Sequence, residues 1–188
     1  MNILAAQSVG KITSHAATNF TSTTSKVNSA HKLALCYHAQ KNYSRAERLY
    51  KEALEALDNP VGRKESEFPQ VLNNFARLYH CLGKFDAAEP LYRRSLDAVQ
   101  QHYGEFHPKV ARRLTNLAEL FRAMGRYVES VIHFQRAAAI MERTCGLEDP
   151  TTVRTLKSYA AMLRKVNRIA DAEEVEARMK DSPVLAYS

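Results

Sequence analysis

Leu72-Asn73-Asn74-Phe75-Ala76 and Leu114-Thr115-Asn116-Leu117-Ala118 are 42 residues apart, and each runs on to a glycine seven positions later, Gly83 and Gly125. The register extends outward in both directions. Ala34, Ala76, Ala118 and Ala160 recur every 42 residues, followed nine positions on by Tyr43, Phe85, Tyr127 and Ile169. Small residues then recur at Ala46, Ala88, Ser130 and Ala172, and large ones at Tyr50, Tyr92 and Phe134, with Glu176 in the fourth place. A fixed period over four units is the signature of a repeat array, in which each unit buries its apolar face against its neighbours.

Inside one period the apolar residues fall at helical spacing. Leu72, Phe75, Ala76, Tyr79 and Leu82 make one stripe, and Ala88, Leu91, Tyr92, Ser95, Leu96 and Val99 make a second. Gly83 between them marks a helix stop, since glycine takes a left-handed conformation at little steric cost. The spacing therefore predicts an all-α chain of four helix–turn–helix units. First helices are expected near Val27–Gln40, Pro69–Leu82, Lys109–Met124 and Thr151–Val166. Their partners are expected near Tyr43–Leu57, Phe85–Tyr103, Tyr127–Thr144 and Ile169–Lys180. With the polar residues Glu176 and Lys180 at formerly apolar positions, Arg168 to Lys180 is read as the end cap of the stack.

These residues resemble the tetratricopeptide repeat, and the 42-residue period is similar to its kinesin-light-chain-like subfamily. The closer resemblance lies in the lengthened second helix and the loop that follows it, Gly104-Glu105-Phe106-His107-Pro108, echoed by Gly146-Leu147-Glu148-Asp149-Pro150, and the opening phrases around Asn73-Asn74 and Asn116 also resemble that family. The loop from Asn59 to Pro69 lacks the His-Pro pair. The resemblance implies a right-handed α-solenoid over residues 27–180 with no enzymatic activity and no cofactor. It further implies a concave groove lined by the first helix of every unit.

Composition is compatible with this. The 188 residues carry 27 Lys and Arg against 20 Asp and Glu, a net charge of +7, which points to acidic partners. No apolar run approaches the ~18 residues of a membrane span, so a soluble chain is expected. The three cysteines, Cys36, Cys81 and Cys145, are odd in number and far apart, which suits a cytoplasmic or other reducing intracellular compartment. Residues 1–26 lie outside the repeat, are rich in Ser and Thr and contain no acid. Three readings stand for them: a disordered tail, an organelle-targeting peptide, or a docking helix presenting Val9, Ile12, Ala16 and Phe20. Residues 181–188 are read as a C-terminal tail.

No nucleophile elbow, phosphate loop or H-E-x-x-H zinc motif is present. His31, His38 and His80 could meet along the groove, but no carboxylate or cysteine completes a metal set, and no metal site is assigned. The charge pattern is more telling. With the recurrent alanine as position 8, groove positions 2, 5, 6, 9, 12 and 13 of the four units hold Lys32, Arg77, Arg112, Arg122, Arg154, Lys157, Arg164 and Lys165, against the single acid Glu119. These cations, with His80 and the amides of Asn73, Asn74 and Asn116, are the expected partner-binding residues. An amide offers both a donor and an acceptor to an extended backbone, and an arginine grips a carboxylate with two bonds. The resemblance implies a partner carrying a short acidic motif. The function expected is a protein-binding module or adaptor, a role compatible with membership of a larger assembly. The alternative is an RNA- or nucleic-acid-binding helical repeat. The groove positions hold no Phe, Tyr or Trp on which bases would stack, which weighs against it.

Overall fold

The computed structural model describes residues 26–58 and 67–180. The three readings of the N-terminal segment over 1–25, most of the first loop from Asn59, and the tail 181–188 lie outside the described residues. Every regular element among the described residues is an α-helix. They are α1 (26–39), α2 (Tyr43–Asp58), α3 (Phe68–Cys81), α4 (Phe85–Tyr103), α5 (Pro108–Ala123), α6 (Tyr127–Cys145), α7 (Pro150–Lys165) and α8 (Ile169–Lys180). The all-α, four-repeat expectation is met. By compactness the chain divides into two units, Met1–Leu78 and Tyr79–Ser188.

The first helices of the units begin and end about one residue earlier than expected, and the loop residues explain the starts. Pro108 and Pro150 are the first residues of α5 and α7, because a fixed φ and a missing N–H cost nothing there. Each is preceded by a cap. His107 Nδ1 accepts from the Lys109 backbone N–H at 3.1 Å, and Asp149 Oδ1 accepts from Thr152 N–H at 2.9 Å. The His-Pro and Asp-Pro pairs are thus one device, a side-chain acceptor followed by a proline.

The turn inside each repeat is built the same way four times. Lys41, Gly83, Gly125 and Asn167 all have positive φ, between 58° and 76°. Two residues of each turn send their N–H groups back to the helix before it. Asn42, Lys84, Arg126 and Arg168 donate to the carbonyls of Tyr37, Tyr79, Phe121 and Leu163 at 2.8–2.9 Å. This is a Schellman closure, which satisfies carbonyls that the helix end leaves open.

In the first unit Tyr50 of α2 is fully buried and stacks on Phe75 of α3 with ring centroids 5.6 Å apart. Ala34 and Ala46 are also fully buried there. In the second unit the principal packing partners are consecutive helices, α4 on α5 through α7 on α8. Ala118 is fully buried, and the Ser130 hydroxyl, equally buried, donates to the Ala118 carbonyl at 2.8 Å. Phe134, Leu156, Tyr159, Leu163, Val175 and Met179 belong to one core around α6–α8. Each large apolar side chain buried there contributes roughly 1.5–3 kcal/mol of transfer free energy.

Candidate functional site

In the first unit Lys32 and Arg77 are exposed, and neither has an ion-pair partner among the described residues. Asn74 is half-buried, with its amide nitrogen 3.0 Å from Nε2 of His31. Burial lowers the pKa of His31, against an upward pull from Glu67, which favours the neutral ring, and in the tautomer protonated at Nδ1 the Nε2 accepts this amide proton. Asn73 departs from expectation. It is only 6% exposed and donates weakly to Asn74 Oδ1 at 3.5 Å, so it does not stand open to solvent as the helix phase suggested. The reason is packing: Asn73 lies in a run of α3 where Val71, Leu72, Phe75 and Ala76 are all buried.

The second unit separates the expected cations into two groups. His80 is half-buried, with its ring T-shaped to Phe85 at 5.8 Å and to Tyr92 at 6.4 Å between centroids. Arg122 Nε donates to Glu119 Oε2 at 2.7 Å. Arg164 of α7 is gripped by Glu176 of α8, with Nε and Nη2 donating at 3.0 and 2.8 Å, and these bonds raise its pKa. Lys165 Nζ sits over the Tyr127 ring, 5.3 Å from its centroid. Position 12 is therefore not a row of unengaged cations. Arg112, Arg154 and Lys157 differ: all three are exposed, and none has a hydrogen bond or ion pair among the described residues. Asn116 is half-buried on the same helix as Arg112.

Several participants escaped the sequence reading. Glu176, expected only as a polar residue of the end cap, is also the partner of Arg164. Arg126 stacks on Phe121 at 4.4 Å and bridges Glu89 of α4 to Glu129 of α6. Arg113, next to Arg112, has a buried Nε with no hydrogen-bond partner. Burial drives its pKa down to about 10, the charge of Arg112 pushes the same way, and Tyr92 opposes them. The available signal was positional, because the equivalent residues one period away are Val71 and Thr155, both buried. Among the described residues no set of His, Cys, Asp and Glu could hold a metal ion. No helix among them is long and apolar enough to cross a membrane.

Tetratricopeptide repeat family models match residues 29–65, 67–135 and 114–178. The chain belongs to the tetratricopeptide repeat family. Among solved structures, this tetratricopeptide chain is similar to a putative kinesin light chain from Podospora anserina with nearly identical repeats. There the TM-score is 0.70 at 19% identity, over 83% of this chain and 74% of that one. It is also similar to BtubC from P. vanneervenii, with TM-score 0.67, 18% identity and coverage of 87% and 73%. A third similar structure is aspartyl phosphate phosphatase F from Bacillus subtilis, with TM-score 0.72 and 16% identity over 83% of this chain. This chain spans only 39% of that protein. At these identities the likeness shows the fold. Among curated proteins none matches the chain in sequence. Tetratricopeptide repeats are generally scaffolds without catalytic activity, and the fold supports a role in protein–protein interaction.

Proposed function

We propose that this tetratricopeptide chain is a non-enzymatic adaptor that binds an acidic segment of a partner protein along the first helices of its third and fourth repeats. One observation carries the reading. Arg112, Arg154 and Lys157 are exposed and pair with no carboxylate among the described residues, while the neighbouring Arg122 and Arg164 are already paired. Arg112 and Arg154 occupy equivalent positions one period apart, so the repeat presents the same cation twice. Unpaired cations on a protein surface raise the local concentration of anionic ligands and speed their encounter. Three exposed free cysteines suit a reducing compartment.

The test is a titration with a fluorescein-labelled peptide of Asp and Glu residues around one Trp. A variant carrying Arg112→Glu, Arg154→Glu and Lys157→Glu is expected to lose binding, and wild-type affinity is expected to fall as salt rises. Wild-type affinity in the triple variant would refute the proposal. A single-stranded oligonucleotide provides the second arm. Tighter salt-dependent binding to it than to the peptide would place nucleic acid ahead of protein as the partner.

A further inference from the structure

We infer that the loop between α4 and α5, with the part of α6 that packs on it, forms a second binding surface that takes single-stranded nucleic acid. Phe106 in this loop is 59% exposed, and the Arg143 guanidinium of α6 lies over its ring, 3.8 Å from the centroid. A second ring stands close by in the chain. Tyr103, the last residue of α4, has Lys109 Nζ 4.0 Å from its centroid, and the same amine donates to its hydroxyl at 2.7 Å. The His107 ring is 4.7 Å from that of Tyr103. Arg143 and Lys109 are exposed and pair with no carboxylate among the described residues. Arg136 of α6 meets Glu105 at 3.5 Å, with both side chains exposed. None of these residues belongs to the expected groove positions.

The fold does not require the ring. The next loop keeps the frame, with Gly104 and Gly146 both at positive φ, 80° and 75°. Yet it carries Leu147, Glu148 and Asp149 in place of Glu105, Phe106 and His107, and Thr151 in place of Lys109. Asp149 caps its helix as His107 does. The exposed ring and its cations are therefore additions to one loop and not parts of the turn. The combination selects the ligand. Carboxylates alone would engage the cations and leave Phe106 in water. An apolar segment would cover Phe106 but strip water from charges it cannot pair. Single-stranded nucleic acid brings both partners in every unit, a base whose face stacks on a ring or a guanidinium and a phosphate for a cation. A duplex, with its bases already stacked and paired, offers these side chains chiefly its phosphates.

The experiment titrates the full chain into a fluorescein-labelled single-stranded oligouridylate, read by anisotropy, with every variant also melted. Wild type is expected to bind, less tightly as salt rises, and to bind a duplex of equal length more weakly. F106A and R143Q change exposed side chains, so both are expected to melt near wild type. Each is expected to bind the oligouridylate about tenfold or more weakly. F106Y, which keeps a flat ring, is expected to bind as wild type, and F106L, which keeps only apolar bulk, is not. Should F106A melt well below wild type, R143Q and F106Y carry the comparison. No binding by wild type, or unchanged affinity in both F106A and R143Q, overturns the proposal. Wild-type affinity in F106L rules out stacking and overturns it as well. Loss of the oligouridylate in the Arg112, Arg154 and Lys157 variant but not in F106A moves nucleic acid to the groove. If F106A weakens the Asp/Glu peptide and not the oligouridylate, the surface takes protein and the inference fails. Displacement by uridine monophosphate at equal concentration would make the ligand a free nucleotide and overturn a strand-binding surface.

Discussion

Arg164 of α7 and Glu176 of α8 are joined by two hydrogen bonds, at 3.0 and 2.8 Å, so the last helix supplies the counter-charge for a cation at one of the expected groove positions. Both side chains are substantially exposed, at 42% and 37%. Exposed pairs of this kind contribute little to stability. Glu176→Gln is therefore expected to leave the melting temperature almost unchanged while freeing Arg164. Affinity for the Asp/Glu peptide should rise, and a fall or no change in titration would show that Arg164 does not face the ligand.

Ala118 is at 0% exposure, and its carbonyl accepts the Ser130 hydroxyl. Ala118→Phe would force a ring into a filled contact, costing roughly 1–3 kcal/mol or more. Denaturant titration measures it directly. A wild-type midpoint would mean that α5 and α6 can separate without loss.

The turn residues offer a paired test. A Cβ added at Gly125 meets nothing within 4 Å, so the cost of Gly125→Ala comes from φ +76° alone. About 1–2 kcal/mol of destabilisation is expected, since alanine resists the left-handed region. Lys41 already occupies that region at φ 58°. Lys41→Gly should stabilise, by less than about 1 kcal/mol, because the relieved strain is partly offset by the greater freedom of an unfolded glycine. Opposite shifts in denaturation midpoint are the expected result.

Burial lowers the pKa of His31 and of His38 below the ordinary 6.5, with Arg77 also lowering that of His38. Below 6.5 the unfolded chain takes up these protons before the folded chain does, which favours unfolding. Stability from the neutral rings is complete above about pH 6.5 and declines as pH falls through that value, levelling off once the folded rings protonate. Chemical denaturation of wild type at pH 7.5 and 5.5 should show this drop. His31→Gln, which keeps an acceptor for Asn74 but cannot titrate, should reduce it.

The fold was legible because its determinants are periodic. Ala34, Ala76, Ala118 and Ala160 are all nearly or fully buried, and the left-handed turn recurs even where Lys41 and Asn167 replace glycine. Helix starts were misplaced by one because Pro108 and Pro150 were read as lying before the helix rather than as its first residues. The candidate site was less legible, because helical phase gives the direction of a side chain but not its partner. Asn73 is enclosed by its apolar neighbours, and Arg164 meets a glutamate twelve residues away on another helix. Arg113 was passed over because it lies at a phase reserved for the core, where its charge was the unusual feature.

The order of packing in the second unit bears on how the chain is made. Each of α6, α7 and α8 has its principal contact with the helix that precedes it in sequence. A structure of such short-range contacts needs no distant segment to close its core, and low contact order favours fast folding. As the polypeptide leaves the ribosome, every new helix meets a surface already synthesised, so assembly can keep pace with translation.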